Sequence, residues 1–347
     1  MRDNMDTQII TNPSEQELDM LARALRNGEL VSIPTETVYG LGANGLDPEA
    51  MDKIYAAKGR PSDNPLILHV PNSESIKPLV TAVSKTAQLL MDTFWPGPLT
   101  ITLPKSDLVP DRATGGLPRV ALRCPDHKVC RALLERAGVP VAAPSANISG
   151  RPSPTTAQDV YHDMNGRISY ILDAGPCTIG VESTVVEVHD DKVIILRPGG
   201  ITKAQLERVV STVEYDTALV NATTKPKAPG MKYTHYAPDA PMTVVVGDPE
   251  VIASTFKELS EGIEGPIGCL VSHETYDLIK GDTRFMCHCF GHYGDALSLG
   301  HDFYKSLLHF NENHVTLILA EGVNDDGFGV AIMNRMEKAS SHHIIYK

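Results

Sequence analysis

Residues 29–58 read ELVSIPTETVYGLGANGLDPEAMDKIYAAK, and they hold an apolar run, a polar loop and a helical pattern in close succession. The apolar run at 30–33 predicts a buried β-strand. Asp47 followed by Pro48 is typical of a helix start, because the aspartate caps free N–H groups and proline suits the first turn. We therefore expect a strand near 30–33 and a helix over 48–57.

The same alternation of strands and helices extends on both sides of this segment. A helix is predicted over 15–27, with Ser14 as its cap and Gly28 as its end. Apolar and β-branched runs predict further strands at 66–70, 99–103, 120–122, 139–142, 170–173, 183–188 and 193–197. This pattern favours an α/β or α+β domain.

The pattern changes after residue 212. Residues 213–238 are polar and rich in proline, which indicates a linker. Beyond it, strands are predicted at 242–246, 265–271 and 316–320, and helices near 252–259 and 296–310. We therefore expect a second, smaller α/β domain with a parallel sheet.

Composition excludes several classes of protein. The 347 residues are 42% hydrophobic, which is ordinary for a globular chain and unlike a disordered one. No apolar run approaches the ~20 residues of a membrane span, and the polar start predicts no secretory signal, so we expect a soluble cytoplasmic protein with reduced cysteines. The net charge of −12 argues against bulk attraction to nucleic acid, although a local basic cleft stays open.

Three polar loops follow predicted strands or helices, and each has two open interpretations. The hydroxyls at 34–41 either bind a ligand or satisfy their own backbone. Lys58 and Arg60 either clamp a polyphosphate in a loop stiffened by prolines or merely complement the dipole of the preceding helix. The loop at 144–155 contains Ser145 and Asn147 and follows an apolar strand, the usual place for a ligand loop.

Other motifs are weak. The glycines at 40–45 match the dinucleotide pattern G-x-G-x-x-G, but they neither follow a strand directly nor open a helix, which disfavours a nicotinamide-dependent enzyme. Cys287, His288, Cys289 and His292 match no common zinc spacing. Ser145 lacks the G-x-S-x-G context of a serine nucleophile.

Short segments along the chain together resemble one family. The loop at 34–42, the Lys-x-Arg motif at 58–60 and the Ser-x-Asn motif at 145–147 look like those of the YrdC/Sua5 family of threonylcarbamoyl-AMP synthases. Further matching segments are 64–65, 95–100, 149–150, 183–185 and 197–199. The resemblance covers about residues 15–205, and residues 229–238 are similar to the longer Sua5 form.

This resemblance implies a fold and an activity. The fold would be a YrdC-like α/β domain with a twisted open sheet at 1–211, a linker or lid at 212–240, and a Rossmann-like Sua5-type domain at 241–347. The activity would be that of a nucleotidyltransferase that converts L-threonine, bicarbonate and ATP, carried with Mg²⁺, to threonylcarbamoyl-AMP and pyrophosphate. The product would pass to the tRNA threonylcarbamoyl transferase complex for t6A37 modification.

The resemblance also assigns roles to residues. Lys58 and Arg60 would be catalytic and would hold phosphates. The implied threonine contacts are Thr37, His69, Arg123, Ala143 and Ser183, and the implied nucleotide contacts are Lys58, Arg60, Asn64, Arg119, Ser145, Asn147, Ser153, Arg197 and the lid residue Tyr236. No residue of the chain is predicted to ligate a metal. Weak binding of RNA by the enzyme is left open. The alternative functions are a double-stranded RNA or tRNA-binding module and a related carbamoyl-transfer enzyme.

Overall fold

The computed structural model describes residues 6–219 and 235–347. The chain forms two compact units. Among the described residues, the first unit comprises 6–149, 153–178 and 182–219, and the second comprises 150–152, 179–181 and 235–347. The central part of the predicted linker, residues 220–234, lies outside the described residues, so its role as a lid stays a prediction.

The first unit is built on an eleven-stranded mixed sheet in the order β1-β8-β2-β3-β7-β4-β6-β5-β9-β10-β11. Its strands are β1 Gln8–Thr11, β2 Val31–Ile33, β3 Gly40–Asn44, β4 Ile67–His69, β5 Leu99–Pro104, β6 Arg119–Arg123, β7 Val141–Ala142, β8 Tyr170–Asp173, β9 Thr184–Val188, β10 Val193–Arg197 and β11 Val213–Tyr215. The eight strands predicted for this part of the chain are all present.

Helices connect these strands, and side-chain caps define where several of them begin. The helices are α1 Glu15–Arg26, α2 Pro48–Lys58, α3 Lys85–Phe94, α4 Asp111–Thr114, α5 Lys128–Ala137, α6 Ala157–Met164 and α7 Lys203–Glu207. Ser14 and Glu17 form a reciprocal capping box at the start of α1. Asp47 accepts the Glu49 N–H at 2.9 Å at the start of α2. Both predicted helices are therefore confirmed.

Besides β1, which pairs parallel with β8 at the edge of the sheet, two further strands were not predicted. The first is β3, which is made of the glycines that mimic a dinucleotide motif and pairs antiparallel with β2 and β7. A β-carbon on Gly42 would lie 2.8 Å from the Val31 carbonyl oxygen, so this glycine allows close packing of strands. The second is β11, which begins at the first residue of the predicted linker and pairs parallel with β10.

The second unit is a five-stranded, wholly parallel sheet in the order β14-β13-β15-β12-β16. Its strands are β12 Met242–Val246, β13 Ile267–Val271, β14 Phe285–Cys289, β15 Leu317–Glu321 and β16 Ile344–Tyr346, and its helices are α8 Pro249–Leu259, α9 His273–Ile279, α10 Ala296–Glu312 and α11 Gly329–Ala339. The predicted parallel sheet is confirmed. Within the described part of the chain, every helix is too short or too polar to cross a membrane.

Candidate active site

One face of four neighbouring strands in the first unit carries most of the predicted threonine contacts. Side chains alternate between the two faces of a strand, so His69 lies on the same face as Ile67, and Arg123 on the same face as Ala121. Ile67 and Ala121 belong to a small apolar cluster with Val185 and Leu196, whereas the opposite face packs into the main core. We call this side of β4, β5, β6 and β9 the site face.

Arg123, the last residue of β6, is the centre of a buried network on the site face. Its Nη1 donates a hydrogen bond to Thr37 Oγ1 at 2.8 Å. Its Nη2 forms an ion pair with Glu36 Oε1 at 2.6 Å, with side-chain exposures of only 4% and 8%. Its Nε donates to the Gly97 carbonyl oxygen at 3.4 Å. The guanidinium is thus held in place by the protein before any carboxylate substrate arrives.

Glu36 is a site residue that the sequence did not single out. It is the one carboxylate in the polar loop at 34–41, and that loop is the only local signal for it. A buried arginine needs a compensating charge, since burial of an unpaired ion is costly. Glu36 meets that need for Arg123.

His69 lies beside Arg123, because the two residues are in register on the paired strands β4 and β6. Its Nδ1 donates to the Ile67 carbonyl oxygen at 3.1 Å. Burial, reinforced by the positive charge of Arg123, lowers the pKa of His69 to about 3. The ring is therefore neutral at physiological pH. Ala143, just beyond β7, donates its N–H to the same Ile67 oxygen at 3.0 Å.

Ser183 and Arg197, which were assigned to different substrates, are bonded to each other. Arg197 Nη2 donates to Ser183 Oγ at 3.2 Å and to the Ser183 carbonyl oxygen at 2.9 Å. Ser183 Oγ also lies 2.8 Å from Thr100 Oγ1. A β-carbon on Gly199 would lie 2.3 Å from the Thr184 nitrogen, so only glycine allows this close approach of two loops.

Lys58 connects the end of α2 to the Ser-x-Asn loop. Its Nζ donates to the carbonyl oxygens of Ser145 and Asn147, the latter at 2.5 Å. Only 1% of Lys58 is exposed, and burial followed by the positive charge of Arg60 lowers its pKa well below the ordinary value. The Lys-x-Arg and Ser-x-Asn motifs, far apart in sequence, thus form one structural group. An anion bound here would favour the protonated amine.

Asn64 is buried in the loop that follows the Lys-x-Arg motif, and its amide has unused hydrogen-bonding capacity. It is 1% exposed, and within residues 6–219 and 235–347 neither Oδ1 nor Nδ2 has a hydrogen-bond partner. Leaving a buried polar group unsatisfied costs about 1–3 kcal/mol. Such a group is typical of a site that is completed by a ligand. Ser153, by contrast, donates its hydroxyl to Glu182 Oε1 at 2.6 Å.

The first unit contains a cavity of about 240 Å³. Arg119 lines it, held by hydrogen bonds from Nη2 to the carbonyl oxygens of Thr102 and Val188, both at 2.7 Å. The other lining residues are Pro65, Leu66, Thr102, Thr114, Leu117, Pro118, Ala121, Glu187 and Leu196. Arg60 Nη2 donates to the Pro65 carbonyl oxygen at 3.1 Å, so the cavity adjoins the Lys-x-Arg motif. Apolar walls with a few polar groups suit a flat organic ring.

Tyr236 is the one predicted site residue that the structure places in the second unit. Its buried ring lies 5.4 Å from the ring of Tyr304, and the cationic groups of Arg335 and Lys338 lie 5.9 and 6.0 Å from its centre. The described residues therefore show Tyr236 packed within that unit. Its contact with a nucleotide stays a prediction.

The two histidines of the weak metal motif, His288 and His292, contact different carboxylates of the second unit. His288 lies 3.4 Å from Asp302, and His292 lies 3.0 Å from Glu274 on a different helix. Across the described ranges 6–219 and 235–347, no three His, Cys, Asp or Glu side chains are grouped so as to hold a metal ion.

Two family models match consecutive parts of the chain. The Sua5/YciO/YrdC model, described as "Telomere recombination", matches residues 23–199. The model described as "Threonylcarbamoyl-AMP synthase, C-terminal domain" matches residues 201–341. Together they span both the YrdC-like part and the Sua5-type part that the motifs predicted.

Curated proteins and a solved structure agree with these matches. The threonylcarbamoyl-AMP synthase of Bacillus subtilis is 45% identical over 96% of this chain and 95% of that protein. The synthase of Schizosaccharomyces pombe is 38% identical over 96% of this chain and 91% of that protein. The crystal structure of Pyrococcus abyssi Sua5 complexed with L-threonine, 40% identical, superposes with a TM-score of 0.89 over 98% of this chain and 99% of that one. The chain therefore belongs to the Sua5/YrdC family, in its long two-domain form.

Proposed function

We propose that this chain is an L-threonylcarbamoyladenylate synthase, which converts L-threonine, bicarbonate and ATP to threonylcarbamoyl-AMP and pyrophosphate. The observation that carries the proposal is the pairing, in one unit, of a buried arginine network with a cationic Lys-x-Arg loop beside a largely apolar cavity. The first suits an amino-acid carboxylate and the second suits a nucleotide. The family to which the chain belongs supports the same activity.

The chemistry asks the protein for positioning and charge stabilisation. The threonine amine combines with bicarbonate to form a carbamate and water. A carbamate oxygen then attacks the α-phosphorus of ATP, the bond to the β-phosphate breaks, and pyrophosphate leaves. Because no covalent intermediate with the enzyme is needed, the rate depends on holding the anions in line and on stabilising developing negative charge.

For threonine, we assign the site face of the first unit. Arg123 would receive the carboxylate, and the neighbouring hydroxyls of Thr37 and Ser183 would orient the amino acid. Neutral His69 offers hydrogen bonding without adding a further positive charge beside Arg123. Ala143 would line the site through its backbone.

For ATP, we assign the group around Lys58. Lys58, Arg60 and Arg197 would contact phosphates, and Ser145, Asn147 and Ser153 would complete the loop around them. The adenine ring would occupy the 240 Å³ cavity beside Arg119, with the Asn64 amide hydrogen-bonded to the nucleotide. Tyr236 would close over the nucleotide as part of the lid.

The described residues offer no cluster of metal ligands, so we propose that Mg²⁺ arrives with ATP, bound to its triphosphate. The product would pass to the tRNA threonylcarbamoyl transferase complex for t6A37 modification, and the reaction would take place in the cytoplasm. The acidic net charge of −12 supports only weak RNA binding.

The proposal is tested by measuring pyrophosphate release by the full chain with ATP, Mg²⁺, L-threonine and bicarbonate, each omitted in turn. Release should require ATP, Mg²⁺, L-threonine and bicarbonate, and mass spectrometry should detect threonylcarbamoyl-AMP. Arg60→Ala should abolish release, whereas the exposed residue Arg208, changed to alanine in the same way, should leave it unaltered. Release without threonine, or equal activity of the two variants, would contradict the proposal.

A further inference from the structure

Two cysteines of the second unit occupy paired positions on neighbouring strands. Cys269 of β13 and Cys287 of β14 are directly paired in the parallel register of the sheet. Neighbouring strands lie about 4.7–4.9 Å apart. That separation falls within the range of roughly 4.4–6.8 Å that the Cα atoms of a disulfide span. The backbone of this sheet therefore already places the two residues at disulfide spacing.

The two thiols differ in exposure and in ionisation. Cys269 is fully buried, whereas Cys287 is half-buried on β14, the edge strand of the sheet. Each thiol donates a hydrogen bond along its own strand, Cys269 to the Ile267 carbonyl oxygen and Cys287 to that of Phe285. The adjacent Cys269 thiol lowers the pKa of Cys287. A thiolate is the reactive form of cysteine. Cys287 is thus the accessible nucleophile, and Cys269 is the thiol behind it.

No other described cysteine offers the same arrangement. Cys289 lies two residues along β14 and opposite Val271, so its Cα is about 6.6 Å from that of Cys287 and the two side chains run parallel. Burial raises its pKa. In the first unit, burial raises the pKa of Cys124 to about 11 and raises those of Cys130 and Cys177 further.

We propose that Cys287 and Cys269 form an oxidisable dithiol site, which reacts with hydrogen peroxide to give a cross-strand disulfide. The Cys287 thiolate attacks one peroxide oxygen, the O–O bond breaks, and the leaving hydroxide takes up one proton to become water. The resulting sulfenic acid is attacked by the Cys269 sulfur, which loses its proton. The S–O bond breaks and a second water leaves. Two thiols are oxidised, and one peroxide is reduced to two waters.

The site is separate from the proposed synthase chemistry, because that chemistry needs no thiol and, apart from the lid residue Tyr236, uses residues of the first unit. It gives the second unit a reaction of its own. Disulfide formation would tie the edge strand β14 covalently to β13, its only partner in the sheet order.

The test treats the purified full chain, folded and reduced, with hydrogen peroxide, then blocks free thiols and digests without reductant. Trypsin cleaves after Lys257, Lys280 and Arg284, so Cys269 falls on a different peptide from Cys287. Mass spectrometry should find these two peptides linked, and dithiothreitol should separate them. Cys289 shares the Cys287 peptide, so the Cys289→Ser variant serves as the matched control and should form the link undiminished.

Two variants separate the roles of the two thiols. Cys287→Ser should lose the link completely. Cys269→Ser should also lose it, but should accumulate a sulfenic acid at Cys287 that dimedone labels, at least tenfold above the wild-type signal. Cys269→Ala repeats this measurement, and thermal unfolding confirms that each variant is folded. A link through Cys289, oxidation spread evenly over all six cysteines, or no link at all would overturn the proposal.

Discussion

The buried pair of Arg123 and Glu36 makes a quantitative prediction about stability. The two side chains are 4% and 8% exposed and lie 2.6 Å apart. Removing one partner of such a pair leaves an uncompensated buried charge, which costs about 3–5 kcal/mol. Glu36→Gln keeps the shape and removes the charge. At about 2–4 °C per kcal/mol for a unit of this size, the melting temperature should fall by about 6–20 °C.

The assay is calorimetry and urea unfolding of four proteins: the wild type, Glu36→Gln, Arg123→Met and the double variant. Removing both charges leaves no unpaired ion, so the double variant should lose less than the sum of the single losses. Glu207→Gln, in an exposed pair with Lys203, is the matched control and should leave the free energy of unfolding nearly unchanged. Additive losses, or a Glu36→Gln effect as small as that of the control, would show that the pair does not compensate a buried charge.

Three further predictions concern single residues. His69 has a pKa of about 3 in the folded protein and an ordinary value near 6.5 in the unfolded chain. Between these pH values the unfolded state binds more protons than the folded state. The free energy of unfolding therefore falls as pH is lowered from ~6.5 to ~3, by up to ~1.4 kcal/mol per pH unit. His69→Gln should flatten that part of the stability profile measured by urea unfolding, and an unchanged profile would contradict the prediction. Asn64→Leu should raise the melting temperature of the ligand-free protein, since it removes an unsatisfied amide. It should also weaken ATP binding measured by calorimetry. A loss of both thermal stability and ATP affinity would contradict a ligand-binding role for Asn64. Lys58→Met should reduce pyrophosphate release by about a hundredfold or more, while Lys53→Met on the same helix retains it, and equal rates would contradict a phosphate role.

The strands that the sequence predicted are those with continuous apolar or β-branched runs. β8, β10 and β12 match their predicted ranges residue for residue. β3 was missed because glycine carries no apolar side chain, and its burial arises from neighbouring strands that approach the bare backbone. β14 was missed because cysteine and histidine give a weak strand signal.

The candidate site was also predicted only in part from the sequence. The motif residues were found because polar and cationic side chains cluster in short loops. The contacts between these residues were not predicted, since the partners are distant in sequence. Arg123 and Thr37 are separated by 86 residues, and Lys58 and Ser145 by 87. Such pairings depend on strand order, which local patterns do not encode. For the same reason Glu36 was overlooked, because its role is defined by a partner distant in sequence.

Isotope labelling shows whether this chain joins threonine, bicarbonate and ATP in one adenylate. The full chain would be incubated with ATP, Mg²⁺, L-threonine and ¹³C-bicarbonate, and the nucleotide products would be separated and analysed by mass spectrometry. We expect a threonine-containing adenylate that carries the single labelled carbon, with pyrophosphate formed in equal amount. An adenylate without the label, or pyrophosphate released with no threonine-containing adenylate, would contradict this expectation.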